Sequence, residues 1–182
     1  MPERTPATRQ FPYAAATDAK ALAQLITDGR LPREIGVTCR GRGDGAGSQA
    51  SGILSAMLLA RTAGCRYMHS PFASIAHAAE DRADWAGLWE RFFNLGDGEI
   101  TVPKDTEFMH LSTVVRDPRA YIGRNIVIAE YGFQLPAGEA APILEPLRNE
   151  LRVKYWRSPK VSVRLHHAPQ GLTVAIISGA AM

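Results

Sequence analysis

The stretch from Arg40 to Gln49, RGRGDGAGSQ, holds the residue types most suited to binding an anionic ligand. Its four glycines stand at alternating positions, and glycine lets a backbone turn sharply and approach a ligand closely. If a helix begins near Gly47, the N–H groups of its first turn offer an anion site. The expected ligand-binding residues are Arg40, Gly43, Gly45, Gly47, Ser48 and Gln49. We also expect Gly45 or Gly47 to adopt a backbone conformation that only glycine tolerates easily.

Two better-known phosphate motifs fit this stretch poorly. The pattern Gly41-x-Gly43-x-x-Ala46 has alanine in the third glycine place of the dinucleotide fingerprint. The acidic residue expected about 20 residues later is also missing. No lysine follows the loop, so the P-loop motif does not fit either. The glycines would equally permit a tight strand-to-helix turn without any ligand, and this alternative stays open.

Two residues are candidates for a general base, namely His69 at the end of a predicted strand and Asp44 inside the glycine stretch. We find no Asp or Glu at a spacing that would orient His69, and a structural role for this histidine remains open. Aromatic faces suit the apolar face of a pyranose ring, so Phe72, Trp85 and Trp89 are candidates for sugar stacking. The helical spacing of the two tryptophans indicates core packing as the alternative.

The remaining charged residues are interpreted as solvated surface. Asp81, Asp84 and Glu90 are assigned to the exposed face of the helix that carries the tryptophans. The locally basic segment 148–167 is either another solvated face or a linker. The five histidines are scattered and the chain has only two cysteines, so we predict no metal site.

Bulk composition excludes several classes of protein. The chain has 182 residues, 46% of them hydrophobic, which is enough for one domain with a core. Its net charge of +3 is spread without an acidic or basic tail, so nucleic acid is not an expected partner. The longest nearly apolar stretch, 172–182, is far shorter than the ~20 residues of a membrane span, and the N-terminus lacks a signal-peptide core. We therefore expect a cytoplasmic protein with no membrane span.

Strands and helices alternate along the chain in the pattern of an α/β fold. A strand over 34–40, the glycine stretch, a helix ending at Gly64 and a strand over 66–69 form a βαβ unit. Further helices are predicted over 17–28, 83–94 and from Pro142 to about Tyr155, and further strands over 125–130 and 172–177. This order predicts a mainly parallel, Rossmann-like sheet flanked by helices. We divide the chain into a lead-in (1–13), an α/β domain (14–171) and a segment (172–182) that begins a second domain or linker.

The segment 34–95 resembles the N-terminal part of fucosyltransferase-like glycosyltransferases. In that superfamily a first strand leads into a Gly-Gly-x-Gly-Asn-Gln-like loop and then a helix of small and aliphatic residues. Gly45, Gly47 and Gln49 align with that loop, and Ser48 stands where asparagine is usual. The sequence LRNELRVKYWRSPK resembles the linker that precedes the nucleotide-binding domain of these enzymes. The resemblance implies a GT-B-type architecture and transfer of fucose or a related hexose from a sugar nucleotide, such as GDP-fucose, to a carbohydrate acceptor, without a further cofactor.

The chain departs from the superfamily after its last predicted strand. There the enzymes carry a motif of the type His-x-Arg-Arg-x-Asp, whose arginine binds the donor diphosphate, whereas this chain continues Ile177-Ser-Gly-Ala-Ala-Met182. The chain is therefore expected to correspond to the acceptor-side half, cut by truncation or a changed reading frame. Whether it is an enzyme by itself stays open. The alternative function is a non-catalytic α/β module that binds a nucleotide, a carbohydrate or a partner protein. The strand 172–177, without the domain it would lead into, is also expected to favour self-association.

We predict that the 182-residue chain alone does not transfer fucose detectably from GDP-fucose. An arginine on a phosphate is worth about 10³–10⁵ in rate in related phosphoryl chemistry, because it stabilises the charge of the leaving group. Radiolabelled fucose transfer to oligosaccharides measures this directly. Robust turnover by the chain alone would contradict the prediction.

Overall fold

The structure is a computed structural model that describes most of the chain. The described residues are 14, 16–40, 44–76, 84–122, 124, 126–130, 132–158, 162–168 and 171–177, the last two segments as backbone only. The predicted lead-in (1–13) and the predicted ligand-binding residue Gly43 lie outside them.

Five α-helices, one 3-10 helix and seven strands are present in the described part of the chain. In chain order they are α1 (Ala16–Thr27), β1 (Gly36–Thr38), α2 (Ala46–Ala63), β2 (Arg66–His69), α3 (Trp85–Phe93), β3 (Ile100–Thr101), β4 (Glu107–Met109), α4 (Leu111–Arg116), the 3-10 helix (Pro118–Tyr121), β5 (Ile126–Ala129), α5 (Ala137–Arg157), β6 (Ser162–Ala168) and β7 (Gly171–Ile177). None of the described helices combines the length and the apolar character needed to cross a membrane.

The first five strands form one parallel sheet with the order β3-β2-β1-β5-β4. The chain moves outward from β1 through β2 to β3, and then returns to the other side of β1 through β4 and β5. The strand order therefore reverses between β1 and β5. In open parallel sheets ligands bind at such a reversal, outside the carboxyl ends of the strands. The sequence prediction of a mainly parallel α/β sheet flanked by helices is confirmed.

The hydrophobic pattern explains the central elements. Leu22, Leu25 and Ile26 lie on the buried side of α1, as their i, i+3, i+4 spacing predicts. All four residues of β5 are buried, as is usual for a strand inside a parallel sheet covered on both faces. The small residues of α2 let it pack closely on β1 and β2, and one continuous core joins these elements.

Two predicted elements differ in the structure. Pro142 was predicted in the first turn of its helix, but α5 begins at Ala137, and both Pro142 and Pro146 lie inside it. The start of α5 is set instead by Pro136, whose carbonyl accepts hydrogen bonds from Glu139 and Ala140 N–H. The strand predicted to lead into a second domain, 172–177, is β7 and pairs antiparallel with β6 in a separate two-stranded sheet.

The expected glycine-only conformation at Gly45 or Gly47 is wrong. Gly45 is the N-cap of α2 with φ −64° and ψ 153°, an extended geometry open to any residue, and Gly47 is not among the glycines with positive φ. A Cβ added at either position would meet nothing within 4 Å. Of the glycines at the two ends of α2, the one with a positive φ is Gly64, which ends the helix with φ +69°.

Replacing glycine with alanine at the two ends of α2 should change the stability of the protein in opposite directions. Gly64→Ala should destabilise the protein by about 1 kcal/mol, because a left-handed backbone is strained for an L-residue. Gly47→Ala should stabilise it by about 0.5 kcal/mol, because alanine loses less backbone entropy in a helix. Urea unfolding followed by circular dichroism measures both values, and each variant is the control for the other. Equal effects of the two substitutions would contradict this account.

Candidate functional site

The carboxyl ends of β1, β2 and β5 bring several polar side chains to one edge of the sheet, which we call the carboxyl edge. Thr38 ends β1, His69 ends β2, and Glu130 follows β5 directly. All three side chains are buried. Thr38 and Ser70 hydroxyls are 3.0 Å apart and tie the ends of β1 and β2 together. Because the strands are parallel, the loops that follow them also meet at this edge.

Gln49 fastens the end of the glycine stretch to the loop after β2. Its side chain is 3% exposed, and its Nε2 donates to the carbonyls of Asp44 at 2.7 Å and Ser74 at 2.5 Å. Ala76 N–H also donates to the Asp44 carbonyl, at 3.2 Å. Both amide hydrogens of Gln49 are therefore used within the chain, and a hydrogen bond to a ligand would require one of these bonds to break.

The other predicted residues of the glycine stretch also interact with each other. Ser48 Oγ donates to Asp44 Oδ2 at 2.6 Å, across the first turn of α2. The N-cap residue Gly45 makes no side-chain capping bond, and the Ser48–Asp44 bond joins two side chains without engaging a backbone N–H of the helix start. Asp44 is half-buried, while Gly47 and Ser48 are exposed at the helix start.

His69 lies in a row of hydrogen bonds that runs from the core to the surface. Its Nδ1 is 2.9 Å from the Tyr67 hydroxyl, and its Nε2 is 2.7 Å from Glu90 Oε1. Glu90 also accepts a hydrogen bond from Phe72 N–H at 3.2 Å. A carboxylate on Nε2 assigns the proton to that nitrogen, so Nδ1 accepts from Tyr67. Burial raises the pKa of Tyr67 strongly, which keeps its hydroxyl protonated as the donor.

The acidic partner of His69 was missed by the sequence prediction, which assigned Glu90 to a solvated face. Glu90 is one residue after Trp89 and three before Phe93, both of which pack against the core. An acidic residue next to the core-facing aromatic residues of α3 was the sequence feature that could have indicated a buried partner for His69. The His69 side chain is 5% exposed and that of Glu90 25%, so Glu90 is the member of the pair that solvent reaches.

Gly96 closes the site behind the imidazole. A Cβ at this position would lie 2.5 Å from His69 Cδ2 and 2.8 Å from Nε2. The backbone of residue 96 therefore packs directly on the ring, and His69 O accepts a hydrogen bond from Val102 N–H at 3.0 Å. Hydrogen bonds therefore fix both the side chain and the main chain of His69.

The predicted stacking residues contribute to packing rather than to an open aromatic platform. Phe72 is buried, and its ring lies 6.0 Å from that of Phe93, so its faces are not available to a sugar. Trp89 stacks on Phe93 with ring centroids 5.5 Å apart and packs against the core. Trp85 is half-buried at the start of α3.

Arg40 follows β1 and contacts β4, on the side of β1 opposite to β2 and His69. Its guanidinium is 4.2 Å from the centre of the Phe108 ring on β4, an arrangement that favours a cation–π contact. The residue is exposed, so its charge is accessible at the carboxyl edge. The structure thus brings His69 together with Glu90, and Asp44 together with Ser48 and Gln49, while Arg40 belongs to the β4 side.

Glu130 is a second carboxylate that the sequence prediction did not single out. Its Oε1 accepts a hydrogen bond from Leu111 N–H at 2.7 Å and is 3.1 Å from His110 Nδ1. Burial raises the pKa of Glu130 to about 7, the Leu111 N–H bond opposes this shift, and the charge of Asp18 adds to it. Buried carboxyl groups with raised pKa values cluster at functional sites, although structural networks also produce them.

Within the residues that the structure describes, no three His, Cys, Asp or Glu side chains are grouped as a metal site would require. The fold and this edge define an α/β domain of Rossmann-like type with a polar, internally hydrogen-bonded carboxyl edge. Comparison of the chain with protein-family models, with curated proteins and with solved structures gave no match. The functional argument therefore depends on the geometry of this edge.

The buried carboxyl group of Glu130 predicts a pH-dependent stability. The pKa of this carboxyl group is 4.5 in the unfolded chain and is raised to about 7 in the folded protein. The folded state binds more protons between these values, so the free energy of unfolding should fall as pH rises from about 4.5 to 7, by an amount on the order of 1–3 kcal/mol. Glu130→Gln, which can still accept from Leu111 N–H, should flatten this part of the profile.

Urea unfolding at a series of pH values measures the slope. Glu145→Gln is the control, because Glu145 is exposed on α5 and pairs with the exposed Arg148, and its profile should match that of the unaltered chain. His110, the neighbouring titratable side chain, is present in all three proteins. An unchanged slope in Glu130→Gln would contradict the role of this carboxyl group.

Proposed function

We propose that this chain is a glycosyltransferase-like domain that binds a carbohydrate hydroxyl at Glu90. The observation that carries the proposal is the Tyr67–His69–Glu90 row, which ends in a partly exposed carboxylate at the carboxyl edge of a parallel sheet. Such an edge is where α/β folds bind ligands. The resemblance of residues 34–95 to fucosyltransferase-like enzymes supports the same chemical class.

Glu90 has the hydrogen-bonding capacity that this role needs. A carboxylate accepts about four hydrogen bonds. His69 Nε2–H occupies one place on Oε1 and Phe72 N–H occupies one on Oε2, so acceptor capacity remains on each oxygen. These two hydrogen bonds hold the carboxylate group in a fixed position. A positioned acceptor of this kind can bind a sugar hydroxyl and remove its proton.

In a glycosyltransferase of this class that also carries the diphosphate-binding arginine, the acceptor hydroxyl oxygen would attack the anomeric carbon of the donor sugar while Glu90 takes the hydroxyl proton. A new carbon–oxygen bond forms, and the bond between the anomeric carbon and the diphosphate oxygen breaks with its electron pair on the leaving nucleotide. The 182-residue chain alone is expected to bind these ligands without detectable transfer. His69 acts as a positioning residue, because its side chain is buried and contacts Glu90 rather than solvent.

The donor diphosphate requires positive charge at the same edge. The first turn of α2 provides N–H groups without intrahelical acceptors, next to the exposed residues Gly47 and Ser48. Arg40 adds an accessible guanidinium on the β4 side of β1. A sugar nucleotide such as GDP-fucose is the proposed donor, with its diphosphate between these two groups.

A second function, a non-catalytic binding module, is favoured by one observation. Gln49 and Ser48 use their side-chain hydrogens on Asp44 and Ser74, so these predicted ligand donors are already engaged within the chain. A loop stabilised in this way can present a fixed surface to a carbohydrate without any donor nucleotide. Binding of the nucleotide separates this function from the first.

Saturation-transfer NMR with GDP, GDP-fucose, NAD and N-acetyllactosamine tests the proposal. We expect GDP-fucose and N-acetyllactosamine to bind and NAD to give no signal. Glu90→Ala should lower the affinity for N-acetyllactosamine at least about tenfold, because a hydrogen bond to a charged group is lost. Arg40→Gln should weaken the binding of both GDP and GDP-fucose and leave the binding of N-acetyllactosamine unchanged.

Glu145→Gln removes a carboxylate from the exposed face of α5 and is the matched control, with no expected effect. Binding of N-acetyllactosamine without either nucleotide would favour the binding module. An affinity unaffected by Glu90→Ala, or no binding of any of the four compounds, would overturn the proposal.

A further inference from the structure

The opposite edge of the sheet, at the amino ends of the strands, holds a cavity that the proposed function does not use. Its volume is about 360 Å³, within the range of roughly 300–1,000 Å³ that is usual for small-molecule sites. It lies where α2 ends and β2 begins, and α5 forms another wall. Three arginines line it, Arg33 before β1, Arg61 in the last turn of α2 and Arg66 at the start of β2.

The pairing of β1 with β2 brings Arg33 and Arg66 to the cavity. Arg66 is paired with Gly36 in the parallel register of β1 and β2, and its N–H donates to Ile35 O at 3.1 Å. Arg33 precedes Gly36 by three residues. Both residues are exposed, and within the described part of the chain neither guanidinium has a carboxylate within 4 Å.

The carboxylates of the cavity are already neutralised. Glu150 contacts the Arg61 guanidinium and lies 3.3 Å from Lys154 Nζ, and Glu99 also contacts Lys154 Nζ. Lys154 is itself buried behind these two acids. Four cations therefore surround two carboxylates, and the excess positive charge belongs to Arg33 and Arg66. The carboxyl end of α2 contributes a partial negative charge of only about half a unit.

We propose that this cavity binds a small organic phosphate, with its phosphate group on Arg33 and Arg66. A guanidinium presents paired N–H donors that match phosphate oxygens, and it stays charged at all relevant pH values. The rest of the lining includes apolar atoms of Met57, Ala60 and Leu147 beside Gly64, Cys65 and Tyr67, and these apolar atoms can contact the organic part of the ligand. A phosphate monoester with a ring or short chain satisfies both surfaces.

A neighbouring cavity provides an internal control. It measures about 780 Å³, shares Arg33 with the first, and is lined by Arg30 in place of Arg66. Arg30 and Arg66 are both exposed on this edge, so their substitution removes the same charge from the same region. Arg66→Gln therefore reports on the proposed cavity, and Arg30→Gln reports on the adjoining one and on the general positive potential.

Isothermal titration calorimetry and backbone NMR shifts, with phenyl phosphate, inorganic phosphate and phenol as probes, test the proposal. Phenyl phosphate should bind most tightly, inorganic phosphate more weakly, and phenol not detectably. Arg66→Gln and Arg33→Gln should each reduce the affinity for phenyl phosphate about tenfold, as expected for loss of one charge-assisted contact. Arg30→Gln should change it less than about twofold.

The proposal is overturned if phenyl phosphate at about 10 mM, enough to occupy about nine-tenths of a site with a Kd of about 1 mM, does not bind. It is also overturned if Arg30→Gln weakens phenyl phosphate binding as much as Arg66→Gln does. Equal affinity for phenyl phosphate and inorganic phosphate would contradict the role of the apolar lining atoms. Arg40→Gln, which removes the cation proposed for the donor diphosphate at the carboxyl edge, should leave phenyl phosphate binding unchanged. Failure of this site and failure of the carbohydrate site are therefore observed independently.

Discussion

Polar side chains buried at the carboxyl edge must find partners within the protein, and much of the local structure follows from this constraint. An unpaired buried polar group costs about 1–3 kcal/mol, and this cost favours hydrogen bonds from such groups to neighbouring elements. Gln49 holds the end of the glycine stretch to the loop after β2, and Glu130 holds the start of α4 to the end of β5. These hydrogen bonds link the loops of this edge to the elements around them.

The same constraint explains which parts of the fold were predictable. The unit from β1 to β2 has a strong pattern, and the predicted strand 66–69 and the helix end at Gly64 agree with the structure. Strands β3 and β4 were missed, because they have only two and three residues and contain no buried position. Their place is set by pairing with β2 and β5, which is a tertiary effect and leaves little trace in local sequence.

Site residues were predictable where the signal is local and not where it is a contact across the fold. His69 follows from its position at a strand end, and the structure does place it at the carboxyl edge. Its partner Glu90 is 21 residues away, and helical periodicity alone does not separate an inward acid from a solvated one. The glycine stretch misled in another way, because glycine allows unusual backbone angles without requiring them, and Gly45 and Gly47 do not use them.

The two proposed sites lie at opposite edges of the sheet and differ in the side chains that would contact the ligand. Near the ends of β2 and β5 the carboxyl edge holds the acids Glu90 and Glu130, each on a histidine, and of the two only Glu90 is partly exposed and suits hydrogen bonding to neutral hydroxyl groups. The amino edge presents Arg33 and Arg66, which suit a permanently charged phosphate. A ligand with both groups cannot span the sheet between these edges without passing through the core. The two sites should therefore bind separate molecules, and occupation of one should leave direct contacts at the other unchanged.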